Sequence, residues 1–99
     1  LDAASKNPFY ENAARGALAS TLEAQGRFAD AAALYQELAA KLPEPMSQDA
    51  QIDAARALGA AGSVDQAKAI LQKLSTGNTP TARKARIELA ILDTAPAAK

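Results

Sequence analysis

The sequence predicts an all-α domain of short antiparallel helices, and three observations predict it. The hydrophobic fraction is 48% but the aromatic fraction only 4%, so the apolar content is largely alanine, the best helix former and a weak strand residue. Breakers fall in discrete places (Gln25-Gly26, Pro43-Glu44-Pro45, Ala61-Gly62 and Gly77-Asn78-Thr79-Pro80) and leave five segments of helical length. The segment around Gly26 also recurs around Gly62, an offset of 36 residues.

The first helix is expected from about Pro8 to Gln25, with Asn7 as cap and Pro8 in the first position, where its missing N–H costs nothing. Its apolar stripe reads Ala14, Ala17, Leu18 and Leu22. The second runs from about Phe28 to Leu42 and buries Phe28, Ala31, Ala32, Leu34, Tyr35, Leu38 and Leu42. The third begins near Ser47, with Asp49 in the first turn favoured by the helix dipole and Ile52, Ala55 and Leu58 inward. The fourth opens on Ser63-Val64-Asp65-Gln66, which has capping-box spacing, and carries Val64, Ala67, Ile70, Leu71 and Leu74 inward. The fifth follows Thr79-Pro80 and buries some of Ala82, Ala85, Leu89 and Leu92. Short turns between such helices make antiparallel neighbours.

Ninety-nine residues suffice for one domain. Eleven basic and eleven acidic residues cancel, so there is no net field to draw in nucleic acid or an anionic membrane. Cysteine and histidine are both absent, which removes thiol nucleophiles, disulfides, thiolate or imidazole zinc sites and the usual neutral-pH base. That inventory fits either redox compartment. No run approaches the length of a membrane span. The chain starts at Leu1 rather than Met, so a domain cut from a longer protein is expected.

The repeat turns a generic bundle into a specific architecture. Aligning Gly26 to Tyr35 with Gly62 to Leu71 matches glycine with glycine, Phe28 with Val64, Ala31 with Ala67 and Tyr35 with Leu71. Upstream, Leu18-Ala19 and Leu22 match Ala54-Ala55 and Leu58; downstream, Leu38 matches Leu74 and a proline follows each (Pro43, Pro80). Ala19 with Ala31, and Ala55 with Ala67, are small enough for paired helices to approach closely. An ordinary alanine-rich bundle is the alternative.

These residues resemble the tetratricopeptide repeat family over about Asn12 to Pro80, with a further helix to Asp93. The resemblance implies helix-turn-helix repeats in a right-handed superhelical stack: repeats at 12–45 and 48–81 and a capping helix at 81–93, within a domain spanning 8–93. An N-terminal extension, 1–7, and a flexible tail, 94–99, would flank it. The wet side of the capping helix would carry Arg83, Lys84, Arg86 and Glu88. The chain departs from the family pattern at Arg15 and Gln51, where a large aromatic is common, at Leu22 and Leu58, and at Leu38 and Leu74, where a small residue is usual. Asn7-Pro8-Phe9-Tyr10 leading into Leu18-Ala19 and Gly26-Arg27-Phe28 is also similar to bacterial envelope proteins with tetratricopeptide-like domains, among them the ancillary subunit of the Sec translocon. That likeness implies a membrane-anchored parent with its repeats in the periplasm, near secretion or chaperone machinery; a cytoplasmic setting is the alternative.

No catalytic constellation emerges. Glu23, Asp49 and Asp53 could share a surface, but nothing apolar flanks them closely enough to raise a carboxyl pKa. Ser20, Ser47, Ser63 and Ser75 have no histidine to activate them. The expected function is therefore non-catalytic binding of a protein or peptide, without cofactor, metal or nucleic acid. By the resemblance, the first helix of each pair lines a shallow groove, with Ala13, Gly16, Ser20 and Glu23, then Asp49, Ile52, Asp53 and Arg56, and Arg83 and Arg86 closing one end. The lysine–asparagine clamp with which one subclass grips a peptide carboxylate is missing, since Gly16, Ser20 and Asp53 stand in this groove. The alternative is a self-association or spacer domain, with Phe9, Tyr10 or Ile87 stacking on another copy or on further repeats.

Overall fold

A computed structural model describes residues 8–94. They form five helices: α1 Pro8–Ala24, α2 Phe28–Lys41, α3 Met46–Ala60, α4 Val64–Leu74 and α5 Pro80–Thr94. The expected Asn7 cap, the N-terminal extension, the Phe9 side chain and the tail beyond Thr94 lie outside the described residues. Helix number and limits follow the sequence reading within a residue or two.

The turns at Gly26 and Gly62 are copies of each other. Both glycines take the left-handed conformation, φ +82° and +98°, which costs residues with a side chain. In each turn the next residue closes the same bond across the end of the helix: Arg27 N–H to the Leu22 carbonyl and Ser63 N–H to the Leu58 carbonyl, both 2.8 Å. The 36-residue recurrence is thus a recurrence of backbone geometry.

The helices lie in two layers. α2 packs on α1 and α3, α4 packs on α3 and α5, and α3 also touches α5. The slab is 45 × 33 × 15 Å, and its thinnest dimension is that of two helix layers at a close spacing. Alanine permits that spacing: Ala19, Ala31, Ala55 and Ala67 are all fully buried. Ile52 and Leu71 are the largest side chains that are completely enclosed. A smaller cluster of Leu38, Ala39 and Ala50, with Leu42 against it, seals the α2–α3 seam. There the Ser47 hydroxyl donates to the Ala39 carbonyl at 2.8 Å.

Three expectations change. Of the stripe read on α1, Leu22 is buried as expected, but Ala14 and Ala17 are exposed and Leu18 is 51% exposed; Ala19 joins Leu22 against the core. Alanine on every side of this helix leaves little hydrophobic contrast, and the fit to α2 decides the face. Ser63 occupies the N-cap of α4 but makes no side-chain cap bond; at α5 a side-chain cap does form, Thr79 Oγ1 accepting from the Ala82 N–H at 3.0 Å. The outer side of α5 is not uniformly polar, because Ile87 is 60% exposed beside Arg83, Lys84 and Arg86, while Glu88 is half-buried.

Candidate partner-binding face

α1, α3 and α5 form one layer, and each sends a line of side chains to its outer surface. On α1 these are Ala13, Ser20 and, at the seam with α3, Glu23. On α3, Met46, Asp49, Asp53 and Arg56 recur at steps of three, four and three, so they form one stripe. Lys84 of α5 reaches Asp49 at 3.6 Å, which places Lys84 and Ile87, three residues on, beside that stripe.

A polar network ties α1 to α3. Arg56 donates to Glu23 twice, through Nε at 2.8 Å and Nη2 at 3.0 Å, and to Asp53 through Nη1 at 2.8 Å. Tyr35 rises from α2 beneath it and donates its hydroxyl to Glu23 at 3.0 Å. With that proton committed, Ser20 is the donor in the 3.3 Å bond between its hydroxyl and that of Tyr35. The Arg56 guanidinium lies 5.8 Å from the Tyr35 ring centre, within cation–π range. The Arg56 hydrogen bonds hold the Glu23 carboxyl below the ordinary carboxylate value, against the opposing effect of partial burial and with help from Tyr35. Burial pushes the Tyr35 hydroxyl up, and the bonds to Glu23 raise Arg56 further. Glu23 is therefore ionised at neutral pH and is no general acid.

A depressed carboxyl value fixes the sign of the pH dependence. The stabilisation from Glu23 is complete above its unfolded value, near the ordinary 4.5, and is lost as pH falls through the lower folded value. The melting midpoint is expected to drop between about pH 6 and pH 3, and Glu23→Gln to flatten part of that drop. A variant profile with the same slope as the parent would show that the bridge contributes nothing.

At the other end of the α1–α3 seam the surface opens into an apolar cavity of about 410 Å³, lined by Asn12, Ala13, Leu38, Leu42, Pro43 and Met46. Leu38 comes up from α2 between the two helices, close to Gly16, where an added Cβ would sit 3.7 Å from its Cδ2. The seam is thus bridged by charge at its C-terminal end and open and greasy at its N-terminal end.

The structure brings together Ser20, Glu23, Asp53 and Arg56, with Asp49 adjoining through Lys84. Ile52, expected in the groove, is only 2% exposed and supports this face from the core. Arg83 and Arg86 turn to the α4–α5 loop: Arg86 Nη1 donates to the Ser75 and Gly77 carbonyls at 2.6 and 3.0 Å, and Arg83 Nη1 to the Asn78 carbonyl at 3.2 Å. Sequence reasoning missed Lys84 as the α5 residue that meets α3, Tyr35 as a network member, and the cavity. The Lys84 and Ile87 spacing was a usable signal; the cavity, assembled from α1, α2, α3 and a loop, had none.

Among the described residues no helix is long and apolar enough to cross a membrane. Two layers of antiparallel helices, with duplicated turns and small residues at the crossings, define a helical repeat protein. The tetratricopeptide repeat model matches residues 22–85, and the chain belongs to that family. Repeats of this family generally mediate protein–protein interaction. Searches of curated proteins and of solved structures returned no match.

Proposed function

We propose that this domain is a non-catalytic interaction module that holds a peptide or partner protein across the α1–α3–α5 face. The carrying observation is the seam itself: the Glu23–Arg56 bridge fixes the spacing of α1 and α3, and beside it lies an open apolar cavity. A photo-crosslinking side chain at Ser20 or Asp53 should capture the natural partner from a cell extract. The same group at Gln36 or Gln66, exposed on α2 and α4, should not. Adducts from α2 and α4 alone would sink the assignment. The likeness to bacterial envelope proteins supports a periplasmic setting in a secretion or chaperone assembly, which fractionation of cells carrying the tagged parent protein tests directly. Recovery of the parent protein in the cytosolic fraction would end that part of the reading.

A second reading has its own observation. Ala14 and Leu18, exposed on the outer side of α1, correspond by the 36-residue register to Ala50 and Ala54. Both counterparts are buried, and Ala50 packs with Leu38 and Ala39 of α2. The outer side of α1 is therefore a surface of the kind that receives a helix, and self-association would use it. Light scattering at high concentration decides: a clean monomer that stays monomeric counts against self-association.

A further inference from the structure

We infer that the α1–α3 cavity takes an apolar side chain from a partner segment whose neighbouring residues are cationic. This rests on the reading of the α1–α3–α5 face and adds the chemistry of what binds there. The cavity, about 410 Å³ and open to solvent on one side, is distinguished by its apolar lining, in which Asn12 is the one polar residue. It has room for a leucine or phenylalanine side chain. Met46 stands on its rim, 50% exposed, and an unbranched thioether adapts to whichever of these enters.

Charge selects what flanks that side chain. One and two turns beyond Met46 along α3 come Asp49 and Asp53. Across the face, the carboxylates Glu23, Asp49 and Asp53 meet the cations Arg56 and Lys84. Arg56 is already committed to Glu23 and Asp53 through all three of its nitrogens. A partner carboxylate would have to break that network to reach it. Asp49 is held more loosely: its partner Lys84 is 3.6 Å away, and both side chains are substantially exposed, at 45% and 61%. A lysine or arginine arriving beside the cavity can take the place of Lys84 at little cost, because exposed pairs are weak and interchangeable. Lys41 and Glu44, which flank Leu42 and Pro43, are both exposed and offset one another, and Arg15, which donates to Asn12 at 3.2 Å, is paired with Glu37 at 3.3 Å.

The probes are two blocked hexapeptides, one with a single phenylalanine between lysines and one with glutamates replacing the lysines. Each is titrated into the isotope-labelled whole chain and followed by amide chemical shifts. The lysine peptide should bind about threefold more tightly, with a gap that narrows as salt is added. Its shifts should centre on Ala13, Leu42, Met46 and Asp49. Met46→Lys should weaken it about tenfold, and Asp49→Asn should narrow the gap between the peptides; both positions are on the surface, and circular dichroism checks their folding. Equal affinities, tighter binding of the glutamate peptide, shifts centred on α2 and α4, or no binding of the lysine peptide at millimolar concentration would each overturn the inference. If the lysine peptide fails while crosslinks still map the natural partner to α1, α3 and α5, the face stands and the chemistry assigned to it falls. If the lysine peptide binds in the cavity while those crosslinks map to α2 and α4, the pocket chemistry stands and the face assignment falls.

Discussion

Leu71→Ala is expected to lower the unfolding free energy by about 2–5 kcal/mol, in the upper part of that range. Leu71 is fully enclosed, and with Ile52 it is one of the two largest side chains that are. It belongs to a core cluster rich in alanine, with Ala55, Ala57, Ala67 and Ala85 among its members. Alanine has no rotamer with which to collapse into a void, so the alanine part of the cluster cannot relieve the cost of the truncation. A domain of this length carries on the order of 5–15 kcal/mol of stability, so the loss is a large share of the total. Urea melts followed by helical circular dichroism measure it, with Leu18→Ala on the exposed side of α1 as a control expected within about 0.5 kcal/mol of the parent. A loss below about 1 kcal/mol for Leu71→Ala would mean that the alanine core relaxes after all.

The opposite change at the same contacts gives the second large effect. Ala31→Leu or Ala67→Leu is expected to cost about 1–3 kcal/mol by overpacking. Both alanines are fully buried, paired by the repeat with Ala19 and Ala55, which are equally enclosed. Neither alanine has any exposed surface into which a longer side chain could turn, so added methyl groups must push a helix pair apart. For Ala31 the displacement also strains the Glu23–Tyr35 bond between α1 and α2, so the pH dependence assigned to Glu23 should weaken in that variant. Melts showing no loss at either site would remove the pairing of alanines across each turn.

Ala31 and Ala67 are legible in the amino-acid sequence, because the pairing is a repeat at fixed offset and needs no knowledge of distance. Gly26 and Gly62 are legible for a related reason: a left-handed backbone is a local demand, and glycine answers it locally. The inner faces of α2 and α4 can also be read, since leucine, isoleucine and tyrosine stand out against alanine and polar neighbours. Leu18 is misplaced by the periodicity for want of that contrast. In a helix where Ala13, Ala14, Ala17, Ala19 and Ala24 surround two leucines, periodicity does not choose a face; only the fit to α2 does.

The candidate face is legible in its parts and not in its assembly. Ser20, Glu23, Asp53 and Arg56 each follow from the repeat register, yet the bridge from Arg56 to Glu23 spans 33 residues of chain, and no local pattern announces it. Ile52 has the register of a groove residue in the first helix of a pair, but helices on both sides of α3 leave it almost no exposure. On α5, Lys84 and not Arg83 or Arg86 meets α3, because Arg83 and Arg86 have the closer carbonyls of the α4–α5 loop to satisfy.

Helix number, turn positions, the repeat and the alanine contacts therefore belong to the sequence, because propensity, glycine geometry and periodicity act over a few residues or at one constant offset. The exposure of Leu18 on α1, the Glu23–Tyr35–Arg56 network and the cavity between α1 and α3 belong to the tertiary structure. Each depends on groups from separate helices meeting at distances of a few ångströms, and that proximity exists only once the layers have packed.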